Sequence, residues 1–251
     1  MTATFHDLKD ASVFITGGGS GIGAALTEGF ASQGAKVAFL DRDNYNSFAA
    51  DLGARYAHTP LFFQCDVTDT DGLRQAIAEA AEKNGKFKAF VNNAANDQRM
   101  EAADVTEAQW DTMLDVNLKH YFFASQAAAE NMPDGGSIIN FSSGSVHMGA
   151  AGMAPYVTSN AGIMGMTRAL AREWGPRAIR VNSIAPGWVL TEKQLAKWAS
   201  PEALQHHLNA QCLKTHMQPQ DVVGTVLFLA SDIASMLTSQ CLTVDAGVNA
   251  T

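Results

Sequence analysis

With 251 residues and 47% hydrophobic side chains, the chain can fill one large core, and its formal net charge of −8, uninterrupted by any Lys/Arg cluster, excludes nucleic acid as a partner. Three scattered cysteines, Cys65, Cys212 and Cys241, have neither zinc-ligand spacing nor the look of a disulfide framework, so they are expected to be small buried side chains in a reducing compartment. No apolar run approaches the roughly 18 residues of a membrane span, and the opening MTATFHDLKD lacks a signal-peptide pattern, which makes the cytoplasm the expected location.

In chain order, a short apolar strand over 11–16 ends in the glycine cluster Gly17, Gly18, Gly19, Gly21 and Gly23. Ile22, Leu26 and Phe30 then recur on one helical face, predicting a helix over 22–33. A second strand over 36–40 stops at Asp41, and a polar segment with a short helix follows. A third strand over 61–65 leads to Asp66, a helix with an acidic start covers 69–83, and a fourth strand covers 87–91.

The rhythm continues with a helix over 106–130 and a strand over 136–141 that runs into Ser142, Ser143, Gly144 and Ser145. A helix over 155–174 precedes a strand over 179–184 that stops at Pro186-Gly187. Residues 188–219 are polar and loosely helical, an insertion expected over the C-terminal ends of the strands as a substrate lid. A helix over 220–231 and a strand over 241–244 finish the chain. Short apolar strands alternating with helices predict an α/β fold: a doubly wound, mostly parallel seven-stranded sheet with helices on both faces, in one domain over 1–251.

The cluster Gly17-x-x-x-Gly21-x-Gly23 lies between a strand and a helix. That is where a backbone must turn tightly, approach a diphosphate without a Cβ in the way, and aim helix N–H groups at it. At the end of the second strand Asp41 can accept both ribose hydroxyls and repel a 2′-phosphate, favouring NAD, although the adjacent Arg42 leaves NADP open. Asp66 is placed either to meet an adenine amino group or to cap the following turn. The seven histidines, His206-His207 among them, have no carboxylate or thiol set at ligand spacing, so no metal is expected.

Further motifs carry a resemblance. Asn92-Asn93-Ala94-Ala95 follows the fourth strand, Asn117 lies in Asp115-Val116-Asn117, and Ser143 stands thirteen positions before Tyr156. Pro186-Gly187 is followed by Thr191, and Asp245-Ala246-Gly247 lies near the end of the chain. Together with the glycine cluster, these make nearly the whole chain resemble the short-chain dehydrogenase/reductase family, in its details most like sugar 1-dehydrogenases acting on pentoses or related aldoses. The resemblance implies a catalytic set of Asn117, Ser143, Tyr156 and Asn160. It implies a cofactor set of Gly17, Ser20, Gly21, Ile22 and Gly23, then Asp41, Asp66, Val67 and Asn93, with Tyr156 and Asn160, and finally Pro186, Gly187, Val189 and Thr191. Asp97, Ser143, His147, Trp188 and Gln194 are the candidates for hydroxyl recognition in a sugar site, which needs several convergent polar groups. The resemblance also implies a homo-tetramer or homo-dimer. A charged fraction of 17%, below the roughly 25% of an average domain, is compatible with a buried subunit surface.

One departure matters more than the matches. The family's tyrosine motif is YxxxK, whereas this chain reads Tyr156-Val157-Thr158-Ser159-Asn160. Asn160 lies one helical turn from Tyr156 and can hydrogen-bond a ribose, but it brings no charge to favour a tyrosinate, whose ordinary pKa is about 10. The expected activity is NAD-dependent oxidation of the C1 hydroxyl of an aldose to a lactone, slowed by Asn160. A dehydrogenase or reductase for a non-sugar alcohol or ketone, and a cofactor-binding protein with little catalysis, are the alternatives. Lys119, Arg99 and Lys193 are candidates for a replacement cation.

Overall fold

The computed structural model describes residues 3–133 and 135–249; Met1 and Thr2 of the opening segment lie outside the described residues. Its strands are β1 (Ser12–Thr16), β2 (Lys36–Asp41), β3 (Leu61–Gln64), β4 (Phe87–Asn92), β5 (Gly136–Phe141), β6 (Ile179–Pro186) and β7 (Cys241–Val244). They form one parallel seven-stranded sheet in the order β3-β2-β1-β4-β5-β6-β7. The chain winds outward in opposite directions from β1 and β4, so a crevice opens at the C-terminal ends of those two strands. Every residue of β1 is buried, as expected of a strand covered on both faces.

The helices are α1 (Gly21–Ser32), α2 (Asn46–Arg55), α3 (Thr70–Asn84), α4 (Glu107–Leu114), α5 (His120–Glu130) and α6 (Ser145–Met148). Then come α7 (Ala154–Trp174), α8 (Glu192–Lys197), α9 (Pro201–Ala210) and α10 (Gln220–Ala230). Leu26 and Phe30 of α1 pack with Val226 and Leu229 of α10 on one face of the sheet. Leu73 and Ile77 of α3, Ala124 of α5 and Leu170 of α7 cover the other. Fully burying a Leu, Ile or Val side chain contributes about 1.5–3 kcal/mol, so these two layers supply most of the cohesion. No helix among the described residues is long and apolar enough to cross a membrane.

The continuous helix expected over 106–130 is interrupted. Thr106 caps α4 in a reciprocal box with Gln109, and Asp115–Lys119 form a π-helical turn before α5 begins. The Asn117 amide donates to the Met113 carbonyl at 2.9 Å, so a side chain enters the backbone ladder there. The expectation for the cysteines also needs correction: Cys65 and Cys241 are half-buried, and Cys212 is exposed. Cys212 lies on a surface turn, where its backbone N–H and that of Leu213 donate to the Ala246 carbonyl at 2.9 and 3.0 Å. The same ties anchor residues 188–219 to the C-terminal segment. Their base is held by a Val189–Met217 bridge and a Leu190 N–H bond to the Met217 carbonyl at 2.9 Å.

Candidate active site

The crevice is a cleft of about 1010 Å³. Gly17, Ser20, Gly21, Ile22 and Gly23 line one end, and Ser143, Tyr156 and Asn160 line the other. At the glycine end the backbone does the work. Gly17 has φ +65°, and a Cβ there would lie 2.9 Å from the Ala94 Cα; a Cβ at Gly23 would overlap the Gly17 carbonyl oxygen. The Asn93 amide pins the turn by donating to the Thr16 and Gly17 carbonyls at 3.1 and 2.9 Å. Ser20, the N-cap of α1, makes no side-chain capping bond, so helix N–H groups face the cleft without that partner. A cradle closed to any Cβ and a helix N-terminus open to an anion fit the diphosphate of a dinucleotide.

Around that cradle, Asp41 accepts from the Gly19 and Arg42 N–H groups at 3.1 and 2.8 Å. Burial pushes its carboxyl above the ordinary value, against those hydrogen bonds. The Arg42 side chain is exposed and reaches toward Asp43 at 3.9 Å. Asp66 lines the cleft and also closes a turn, its Oδ1 accepting from the Thr68 N–H and hydroxyl at 2.9 and 2.7 Å. Partial burial opposes ionisation of Asp66, but the two Thr68 bonds outweigh it and hold the carboxyl low. Val67 lines the same wall. Pro186, Gly187, Val189 and Thr191 line the opposite side. Thr191 caps α8 through the Gln194 N–H at 3.3 Å, and its methyl lies 3.0 Å from where a Gly21 Cβ would stand.

At the other end Tyr156 and Asn160 project from the first two turns of α7, and Ser143 follows β5. A buried polar chain fixes their spacing. The Asn92 amide donates to Asn140 at 2.8 Å, the Asn140 amide to Thr167 at 3.0 Å, and the Ser142 hydroxyl to the Asn160 carbonyl at 3.1 Å. Ser143 Oγ accepts from the Ser145 N–H and hydroxyl at 3.2 and 2.9 Å. Burial raises the Tyr156 phenol above its ordinary value; hydrogen bonds from Ser143 and Asn160 lower it, and the Asp97 carboxylate raises it further. Asn160 also donates to the Tyr156 carbonyl at 2.9 Å. The candidate cations are committed elsewhere: Lys119 pairs with Asp115 at 3.1 Å, Arg99 stacks over Trp198 at 4.4 Å, and Lys193 pairs with Asp97 at 2.7 Å.

Three of the residues expected for hydroxyl recognition meet across the cleft mouth. The Trp188 indole N–H donates to Gln194 Oε1 at 2.7 Å, and Gln194 Nε2 donates to Asp97 Oδ2 at 2.5 Å. His147 does not join them. It is exposed on α6, whose short turn rotates it outward and presents Met148 to the cleft instead. Asn117 is also absent from the cleft wall. It is buried, with Oδ1 accepting from the Asn96 N–H at 2.7 Å and its amide donating to the Asn96 and Met113 carbonyls at 3.0 and 2.9 Å. Its side chain therefore positions the loop after β4. Sequence reasoning missed Tyr121, which lines the cleft and whose buried hydroxyl has no partner. An aromatic in an apolar helical pattern gave no sign of that.

Comparison with known proteins agrees with this geometry. The enoyl-(acyl carrier protein) reductase family model matches residues 17–249. The chain is 47% identical over 251 residues to a D-xylose 1-dehydrogenase of Caulobacter vibrioides and 44% identical over 251 residues to a probable galactose dehydrogenase of Rhizobium meliloti, each alignment covering 98% of both chains. The structure of a Serratia marcescens short-chain dehydrogenase/reductase superposes with a TM-score of 0.90 at 32% identity, covering 98% of this chain and 100% of that one. A Burkholderia cenocepacia short-chain dehydrogenase in complex with NADP also superposes with a TM-score of 0.90, at 30% identity, covering 97% and 100%. This chain belongs to the short-chain dehydrogenase/reductase family and is an NAD(P)-dependent oxidoreductase.

Proposed function

We propose that this enzyme oxidises the C1 hydroxyl of an aldose to a lactone, with NAD as cofactor. The observation that carries this reading is the polar cluster Asp97, Gln194 and Trp188 at the open mouth of the Ser143–Tyr156 end, in a chain closely similar to a D-xylose 1-dehydrogenase and a probable galactose dehydrogenase. Residues 188–219 act as the substrate lid, bringing Trp188 and Gln194 over the sugar.

When bound, the nicotinamide supplies the hydride acceptor for C1. The chain's residues hold the dinucleotide and move the proton. Gly17, Gly21 and Gly23 cradle the diphosphate, with Ser20 and Ile22 at the same helix start. Asp41 would accept from the adenosine ribose and repel a 2′-phosphate, and the Arg42 guanidinium, which lines the same cleft, reaches toward Asp43 at 3.9 Å. Asp66 and Val67 flank the adenine, Asn93 braces the turn, and Pro186, Gly187, Val189 and Thr191 hold the nicotinamide end. Ser143 orients the substrate hydroxyl, Tyr156 takes its proton as the C1–H bond breaks, and Asn160 hydrogen-bonds the nicotinamide ribose. Because burial and, after it, Asp97 oppose ionisation while neutral Asn160 brings no charge to favour it, little Tyr156 is ionised near neutral pH and turnover is slow there. The half-exposed Phe122 on α5 is compatible with pairing of the α4–α5 and α7 layers between subunits of a homo-tetramer or homo-dimer.

A panel of pentoses, hexoses, polyols and cyclic alcohols, assayed with NAD and with NADP, tests the reading. The expected result is lactone formation from an aldose with NAD. Turnover of polyols or cyclic alcohols alone would replace the sugar assignment, and an NADP preference would overturn the role of Asp41.

A further inference from the structure

The mouth cluster also contains an ion pair that bears on the base. Asp97, on the loop after β4, accepts from Lys193 Nζ through Oδ1 at 2.7 Å and from Gln194 Nε2 through Oδ2 at 2.5 Å. Asp97 is largely enclosed, with its side chain 19% exposed, whereas Lys193 is 44% exposed on the first turn of α8. Gln194 is held in turn by the Trp188 indole, and Thr191, the cap of α8, lies against the glycine turn. Both hydrogen-bonding sides of the Asp97 carboxylate are thus satisfied by two consecutive residues of residues 188–219.

We infer that Lys193 is a positioning residue for the catalytic base: from α8 it neutralises Asp97, the anion that faces Tyr156, and so does from across the cleft part of what a cation at position 160 would do. This rests on the reading of Tyr156 as the base. Ser143 from the end of β5, Asn160 from its own helix, Asp97 from the loop after β4 and Tyr121 from α5 line the same cleft as Tyr156, and these are the groups that act on its phenol. Of these only Asp97 carries a full charge at neutral pH, and burial weakens screening by water. An uncompensated carboxylate here disfavours the tyrosinate. Burial by itself opposes ionisation of Asp97, but the Lys193 and Gln194 bonds outweigh it and keep the carboxyl low, so the anion is present across the working pH range. Its cancellation therefore depends on Lys193 rather than on protonation. The base is thereby poised only while α8 is docked against the loop after β4, which links the placement of residues 188–219 to proton transfer.

The test is the pH dependence of tyrosine ionisation in the cofactor-free protein, read by ultraviolet difference absorbance, alongside the pH profile of kcat. Lys193→Gln is expected to move the Tyr156 transition to the alkaline side by about half a unit, leaving roughly threefold less tyrosinate at a given pH below it. Lys193→Arg, which keeps the cation, is expected to hold the wild-type position. In an Asp97→Asn background, Lys193→Gln is expected to produce little further shift, because the anion it cancels is gone. Thermal midpoints identify any variant that has lost its fold; should Lys193→Gln be one, Lys193→Met, equally uncharged, takes its place with the same expected shift. An unmoved profile in Lys193→Gln overturns the inference. So does an equal shift in the Asp97→Asn background, which would mean that Lys193 acts on Tyr156 directly. Failure of the underlying reading looks different: Tyr156→Phe would then keep full turnover.

Discussion

The two ends of the cleft are made of different materials. At the glycine end the shape is set by the backbone: Gly17 at φ +65°, a Gly23 position without room for a Cβ, and an Asn93 amide bonded to main-chain carbonyls. At the Ser143–Tyr156 end the shape is set by side chains reaching across long stretches of sequence, Asn92 to Asn140 to Thr167 and Asp97 to Lys193. The first end tolerates almost no substitution because backbone atoms cannot move aside. The second can be retuned, because a polar network keeps its geometry while its charges change, and Asn160 is such a change.

The sharpest way to break the contrast is at Gly23. Gly23→Ala forces a methyl into the Gly17 carbonyl, and a loss of about 3 kcal/mol in urea stability together with loss of NAD binding by calorimetry is expected. An alanine variant that binds NAD normally would show that the cradle is softer than its geometry implies.

His120, buried at the start of α5 against the Tyr121 ring, gives the next largest effect. Burial holds its imidazole near a pKa of about 3. The Asp115 and Val116 carbonyls exposed by the π turn favour protonation slightly, but neither ring nitrogen makes a well-formed hydrogen bond. The folded pKa lies below the ordinary value of about 6.5, so this contribution to stability is complete above pH 6.5. It is lost as pH falls, because the unfolded chain takes up the proton first. About 2 kcal/mol should be lost between pH 7 and pH 5, and urea titrations of His120→Phe should lack that part of the slope.

Asn160→Lys is the smallest of the three changes and the most telling about retuning. A cation beside Tyr156 should raise turnover at pH 7 about tenfold, worth about 1.4 kcal/mol, and move the kcat profile to lower pH. Wild-type and variant rates compared from pH 7 to 10 check this. A lysine form that binds NAD yet gains no rate over that range would remove the tyrosinate from the explanation.

The cradle end was legible in the amino-acid order, because its physics is local. A strand of buried residues, a glycine wherever a Cβ would collide, and a carboxylate at the end of β2 all lie within a short stretch of chain. Ser143, Tyr156 and Asn160 were reached through the family resemblance, and the structure brings them to one end of the cleft, Ser143 just after β5 and the other two on α7. The π turn over Asp115–Lys119 was not, because it arises from an Asn117 side chain bonded to Met113 and to the distant Asn96 rather than from any local periodicity. His147 was misjudged because one turn of α6 decides which way it faces.

The sequence by itself determined the doubly wound sheet, the dinucleotide cradle and the absence of a lysine at position 160, since each follows from residue type and spacing along the chain. Only the tertiary structure decided that Asp97 and Lys193, far apart in the chain, meet at 2.7 Å, and that Tyr121 buries its hydroxyl in the wall of the same cleft. The reason is physical: hydrophobic periodicity and glycine sterics act between near neighbours, whereas the charge environment of a base depends on which distant side chains the packed loops bring beside it.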